Sequence, residues 1–555
     1  MDRLFTTHLI RREIPLHPVW TLRTLDEGGL DGPEDVWVSG AWESDPRLRS
    51  YRGRGEYSQT IRCGGNIRIW AGGVGFRAGV YLDGRLLREH YGAYTGFEAI
   101  ACGLPEGEHC LQIIADNRFA EDSALHIPND YYAYGGITRP VTVERIGDVY
   151  IASLCALPVR NGGRWIIQAC VTVRNLSAEP VSADVSLSAG EAGEQQTVMI
   201  SSGETTEIPF EMACGNVREW TPEDPALYPV QAILFLNGEP MDDLIDRIGF
   251  RTVRVEGNRI LLNDRPLKLR GFNRHEEYGS FGSAVPPEAM MQDLQMMRDL
   301  GANCVRTCHY PNDPRFLDLC DETGMLVWEE SHARGLQEEQ MKHPKFMEQL
   351  RMSTREMLEQ HINHPCIFIW GSLNECGDNT EFGAECYREI FSMIRQADGS
   401  RPVTAALLER PGCLVYGDLD VVSVNIYPGW YYNGPVTGGL DRKLEEAGKG
   451  GGAGKPVIIS EIGAGAIYGF HDPFGQAKWS EERQCAILKE QIRAIMNRPD
   501  ITGLFLWQFA DCRVDEEWAI HRPKTHNNKG IVDEYRRPKM AYETVKQLFG
   551  WYKTR

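Results

Sequence analysis

At 555 residues the chain far exceeds the ~100–200 typical of one domain, so two to four domains are expected. Apolar residues at 42% and charged residues at 25% give an ordinary globular balance, which excludes a disordered or fibrous chain. The 59 Lys+Arg against 78 Asp+Glu leave a net charge of −19, which argues against nucleic acid and anionic membranes as partners but leaves room for a local basic pocket.

Charges at Asp2, Arg3, Arg11, Arg12 and Glu13 interrupt the N-terminal stretch before an apolar core can form, so no signal peptide is predicted. No run reaches the ~18 uninterrupted apolar residues of a membrane span. The 15 Cys lack any CxxC pair, and a chain this long needs no disulfide framework. These features predict a reduced, cytoplasmic protein.

Residues 1–147 carry short alternating runs broken by turns, among them Tyr57–Arg62, Asn66–Trp70 and Gly79–Leu82, the last closed by the hairpin pair Asp83-Gly84. This pattern predicts a β-sandwich. Residues 148–253 continue in the same style, with strands expected at Trp165–Val173, Ala183–Leu187, Thr206–Glu211 and Val230–Leu236, a second sandwich of immunoglobulin-like length.

From residue 254 to 555 apolar runs alternate with amphipathic helices. Eight strands are predicted: Leu267–Asn273, Cys304–His309, Leu326–Glu330, Ile367–Glu375, Val403–Leu407, Val421–Tyr427, Val457–Ile462 and Gly503–Asp511. Helical patterns lie between them, except between the fifth and sixth, where the link is too short. Eight β-then-α units predict a (β/α)8 TIM barrel. A doubly wound sheet would want a Gly-rich turn after its first strand, where Arg274-His275-Glu276 stands instead.

In such a barrel chemistry gathers at the C-terminal ends of the strands. Those ends carry Asn273, Arg306, Glu330, Asn425 and Gln508, among other polar groups, and two carboxylates, Glu375 and Glu461, each directly after an apolar run. Paired carboxylates roughly 5 Å apart suit double-displacement glycoside hydrolysis. One attacks the anomeric carbon; the other, kept protonated by burial and a neighbouring charge, protonates the departing oxygen and later activates water. Glu276, Glu329 and Glu330 are rival acids on the same rim.

The segment from Asn363 through Trp370 to Asn374-Glu375 resembles the acid/base signature of glycoside hydrolase family 2, and Ile458-Ile-Ser-Glu461-Ile-Gly463 is similar to its nucleophile segment. Gly271-Phe-Asn-Arg-His275-Glu and Arg306-Thr-Cys-His309-Tyr-Pro311 resemble its first two barrel motifs. The resemblance implies an N-terminal jelly-roll sandwich, an immunoglobulin-like sandwich and a catalytic barrel, with Glu375 as acid/base and Glu461 as nucleophile. Within the family, Asn425-Ile-Tyr427-Pro-Gly-Trp430-Tyr431 and His526-Asn527-Asn528-Lys529 resemble the β-glucuronidase branch. There Asn527 and Lys529 would read the sugar carboxylate, with Arg522 as a further partner and Asp130, in Asn129-Asp130-Tyr131, receiving a sugar hydroxyl. Trp507 would stack beneath the ring, Asn374 would bind the 2-hydroxyl, Tyr427 would position Glu461, and His309 and Tyr431 complete the substrate-binding set. Arg334, in Ser331-His332-Ala333-Arg334-Gly335, departs from the branch, which has small neutral residues there, and puts the configuration at C4 in play.

Three other signals point to structure. Cys304 and Cys308 flank an alternating strand, Gly450–Lys455 lacks the phosphate-loop pattern, and Met290, Met291, Met296 and Met297 share one helix as core filling. No cofactor or metal is predicted. The expectation is a retaining exo-β-glycosidase acting on β-D-hexuronides, glucuronides first, galacturonides as the alternative and galactosides behind both. The resemblance also implies a homo-oligomer.

Overall fold

A computed structural model describes residues 3–553. Asp2 and the outermost ends of the first and last expected domains, residues 1–2 and 554–555, lie outside the described residues.

The first sheet has nine antiparallel strands, with Arg54–Gly75 and Phe97–Asp116 as its long spine. The two short runs expected at 57–62 and 66–70 are one strand. Its register slips at Cys63/Gly65 and Gly65/Ile67, so a bulge bends the strand without ending it. Alternate residues Tyr57, Ile61, Ile67 and Ile69 point into a core with Leu111 and Ile113. The hairpin of Arg77–Leu82 with Arg85–Tyr91 turns at Asp83 (φ 51°) and Gly84 (φ 76°), two left-handed residues whose twist matches that of the strands.

The second region folds as a three-stranded sheet, Val149–Asn161, Arg164–Asn175 and Thr205–Ala213, facing a four-stranded one. Inward residues such as Ile167, Val171, Val185 and Leu234 interdigitate between the sheets, as expected of an aligned sandwich.

The third region closes a parallel barrel. Neighbour by neighbour, Ile367–Gly371, Leu326–Glu330, Cys304–Thr307, Leu269–Asn273, Gly503–Leu506, Val457–Ile462 and Val422–Asn425 pair in order. The path ends in Val403–Thr404 on one side and Ala406–Leu408 on the other, two halves of a fifth strand interrupted at Ala405. Every residue of the first four of these strands in chain order is buried, the mark of a parallel sheet covered on both faces. Flanking helices start on side-chain caps: Asp313 accepts from the amide of Arg315 (2.9 Å), Thr380 from Gly383 (3.1 Å) and Ser480 from Arg483 (3.3 Å).

Several strands are shorter than expected. The fourth ends at Gly371, because Leu373 (φ 58°) and Glu375 (φ 52°) adopt left-handed backbone that leaves the ladder. The second ends at Thr307 and the eighth at Leu506. Beyond it the amides of Gln508 and Phe509 bond to Lys529 (3.0 Å) and Asn273 (2.9 Å) instead of continuing in register. A segment of the first sandwich, 129–134, is buried against the mouth of the barrel; Tyr131 reaches His332 (2.9 Å), and the amide of Asp515 donates to the Asn129 carbonyl (3.1 Å).

Candidate active site

The polar residues at the strand ends converge. Arg306, fully buried on the second strand, sits at their centre and uses every donor. It makes a bidentate pair with Glu330 (2.8 and 2.9 Å) and donates to Asn273 (2.9 Å), Glu461 (3.0 Å) and Asn374 (2.8 Å). A guanidinium buried in apolar strands needs such complete satisfaction to be tolerated.

Above this hub lies a cavity of about 270 Å³ at the C-terminal mouth of the barrel. Nine of the twelve candidate site residues line it: Glu375, Glu461, Asp130, Arg334, Arg522, Lys529, Tyr427, Tyr431 and Trp507. Glu461 receives the Tyr427 hydroxyl on one oxygen (2.6 Å) and Arg306 on the other (3.0 Å). Burial and then the charge of Glu375 push Glu461 up to about 7, against the pull of Arg306 and Tyr427. Glu375 accepts from the Asn425 amide (2.9 Å), and the Arg334 guanidinium stands 3.9 Å from its second oxygen.

Three cations share the lining. Arg522 grips both oxygens of Asp130, through Nε at 2.7 Å and through its terminal nitrogen. Burial alone would raise Asp130, but the Arg522 contact overcomes it and holds the carboxyl below its usual range. Asn527 donates its amide to the same carboxylate (3.1 Å) and accepts from Lys529 (3.5 Å). Lys529 is buried at 2% exposure, over the rings of Tyr431 (5.1 Å) and Tyr427 (5.7 Å), with no carboxylate in ion-pairing distance among the described residues. The Tyr431 hydroxyl, raised by burial, is brought net below its ordinary value by Lys529 and Arg522. Arg334 donates to Asn129 (2.7 Å) and covers Trp518 (5.4 Å); burial lowers it, and Glu375, Asp130 and Glu461 more than restore it.

Three expected residues are not on the cavity wall. His309 lies behind Trp507, stacked at 5.1 Å and bonded to Glu330 (2.8 Å), because the second strand turns it into the hub. Burial and then Arg306 hold it neutral, well below the usual histidine range. Asn527 is displaced from the wall by its bond to Asp130. Asn374 is 1% exposed, its Oδ1 taken by Arg306 and its Nδ2 buried without a partner. The sequence did not single out Glu409 and Tyr432, on loops without periodic signal, or Trp518, in the four-residue helix Glu516–Ala519, all of which line the mouth. Arg306 was placed at a strand end and in a family-like motif by the sequence, but its role as the hub was not visible there. Cys308, set aside as core, offers its sulfur within 4.8 Å of donor atoms on His275 and His309, a group able to hold a soft metal ion; Asp321, His364 and Cys366 form a second such group.

Two family models match the chain: "Glycosyl hydrolases family 2" over residues 146–251 and "Glycosyl hydrolases family 2, TIM barrel domain" over 253–553. Among solved structures, the chain resembles a family 2 β-galacturonidase from Eisenbergiella tayi bound to galacturonate, at 45% identity over 99% of both chains and a TM-score of 0.97. It resembles a Bifidobacterium dentium β-glucuronidase complexed with coumarin-3-O-glucuronide at 26% identity over 97% of both chains, TM-score 0.86. A putative β-glucuronidase of Formosa agariphila is 28% identical over 87% of this chain, which spans 61% of that relative's length.

Proposed function

Because the chain belongs to glycosyl hydrolase family 2, a family of retaining glycosidases, we propose that it is an exo-β-D-hexuronidase with galacturonides as its preferred substrates. The observation that carries the reading is one cavity lined both by the two carboxylates and by the buried Lys529, which has no carboxylate within ion-pairing distance among the described residues. A buried ammonium without an acid partner is complementary to a substrate carboxylate.

Glu461, gripped by Arg306 and Tyr427, is the nucleophile: two donors favour its ionised form. Glu375, held by the Asn425 amide, is the acid/base and in its protonated form carries the proton that the leaving oxygen needs. Glu375 gives that proton to the leaving oxygen as Glu461 bonds to the anomeric carbon. Glu375 then takes a proton from water, whose oxygen displaces Glu461 and frees the sugar with its configuration retained. The unpartnered Asn374 Nδ2 is a ready donor to the 2-hydroxyl, and Trp507 supplies a face for the ring. Asn527 acts at one remove, by holding Asp130 and Lys529 in place.

Galacturonide preference is supported by the neighbour at 45% identity and by Arg334, whose guanidinium reaches the carboxylate pair from the third strand's loop. The curated relative named a β-glucuronidase favours glucuronides as a second reading. A panel of aryl β-galacturonide, β-glucuronide and β-galactoside decides. We expect uronides to be turned over at least ~100-fold better than the galactoside, as removal of a buried charge partner costs about 2–5 kcal/mol. Glu461→Gln should abolish turnover, and equal rates on acidic and neutral sugars would overturn the assignment.

The division at residues 147 and 253 and the jelly-roll reading of the first unit belong to the same proposal, supported by sheets that fall within those bounds. Exposed thiols at Cys102 and Cys110 support a reducing compartment such as the cytoplasm. A homo-oligomer is carried by the family resemblance. No helix among the described residues is long and apolar enough to cross a membrane.

A further inference from the structure

At the opposite, N-terminal end of the barrel strands, a cavity of about 990 Å³ opens between the strand starts and the turn at 219–223 that leaves the second sandwich. It is more than three times the volume of the cavity that carries the carboxylate pair. Five cations line it: Arg265, Lys268, Arg270, Arg298 and Lys553.

In a chain with a net charge of −19, where arginines elsewhere are mostly paired, none of these five has a carboxylate within 4 Å among the described residues. Of the two acids on the wall, Glu219 is 3.7 Å from Arg160, and Glu223 is exposed at the edge. Arg270 is buried, with its Nε tied to the Gly301 carbonyl (3.1 Å). Lys268 donates to the carbonyls of Arg498 (3.0 Å) and Ile501 (2.6 Å); its nearest acid influence, Asp500, is itself gripped by Arg498. Burial lowers both Lys268 and Arg270, so each stands as a partly desolvated cation awaiting an anion.

The cations come from separate elements: Arg265, Lys268 and Arg270 lie along the approach to and start of the first barrel strand, Arg298 near the end of the helix Pro287–Asp299 and Lys553 at the end of the helix Met540–Lys553. That distribution suits several separated anionic groups on a hydroxylated body. Thr221 and Thr323 add hydroxyls to the wall, and Tyr552 is the one aromatic ring among the described lining residues, a poor slot for a nucleobase. We propose that this lower cavity is a second, non-catalytic site that holds an oligo-uronide of two or three sugar units, with Arg265, Arg270, Arg298 and Lys268 meeting its carboxylates. The choice of uronide rests on the proposed function; the polyanion site itself does not.

The test is calorimetric titration of the full-length protein with trigalacturonate while saturating galacturonate fills the catalytic cavity. Galactotriose and inorganic triphosphate serve as neutral and phosphate probes. One further equivalent of trigalacturonate should bind, more weakly as salt rises. The double variant Arg265→Ser/Arg298→Ser, changed at two exposed positions, should lose roughly ten-fold in that affinity with aryl uronide turnover unchanged. Absence of the second equivalent overturns the proposal, as does equal binding of galactotriose or binding of triphosphate alone. If aryl uronides are not turned over while the variant still loses the second equivalent, the catalytic reading fails and this site stands.

Discussion

Tyr427 and Arg306 set the charge state of Glu461, and this makes the hydroxyl of Tyr427 a sensitive probe of the chemistry. Tyr427→Phe removes one of two donors to the ionised form, so the proton affinity of Glu461 rises further. The variant should lose about 10²-fold in kcat, as loss of one preorganised donor typically does, with the acid limb of its pH profile displaced upward. In the unaltered protein burial and the charge of Glu375 push Glu461 up to about 7. A carboxyl raised to that value is protonated below it and ionised above, so kcat/KM for an aryl uronide should rise as pH climbs through 7, when Glu461 loses its proton and can attack. A rate that falls between pH 6 and 7.5 contradicts the assignment of roles. Lys529 tests the cationic lining: Lys529→Ala should damage uronide hydrolysis by ~10²-fold and leave a galactoside rate nearly unchanged.

Strands and helices of the barrel were legible because their signals are local. Leu326–Glu330 and Val457–Ile462 have the bounds expected from sequence, and Glu481–Met496 starts after its capping Ser480. What could not be read was how a strand stops. The sequence carries the fourth strand on to Glu375, yet Leu373 and Glu375 turn left-handed, and Asn374 bridges to Arg334 on the neighbouring loop. Apolar periodicity carries no information about such backbone reversals. The carboxylate pair was legible from residue type at the strand ends, whereas the cations came only through the family resemblance. The engagement of Asp130 by Arg522 was not legible, since it depends on contact between side chains 392 residues apart. At this scale the segment 129–134 is a cavity wall lent by the first sandwich. Asp130→Ala leaves Arg522 buried without its acid, and a loss of ~10²-fold in kcat/KM with a weakened KM for uronides is expected, since removal of one partner of a buried pair costs about 3–5 kcal/mol.

For the molecule as a whole, the joint between sandwich and barrel carries buried acids. Glu43 accepts from the amide of Gly135 (3.0 Å) and from Asn117 (3.1 Å), and burial pushes it up to about 8 against the pull of Arg52. Its folded value lies above that of the unfolded chain, so its contribution to stability is complete below about 4.5 and is lost as pH rises towards 8. Thermal unfolding between pH 5 and 8 should therefore show a falling Tm, and Glu43→Gln, which keeps an acceptor for Gly135, should flatten that slope. An unchanged slope in the variant places the pH dependence elsewhere.

The clasp between Asp130 and Arg522 also binds the two modules to a common heredity. A sandwich carrying aspartate is useful only to a barrel carrying arginine, because either alone leaves a charge stranded in the mouth. Recombination that trades one module between relatives therefore succeeds when both partners of the clasp are matched, and drift at one position is answered at the other or purged.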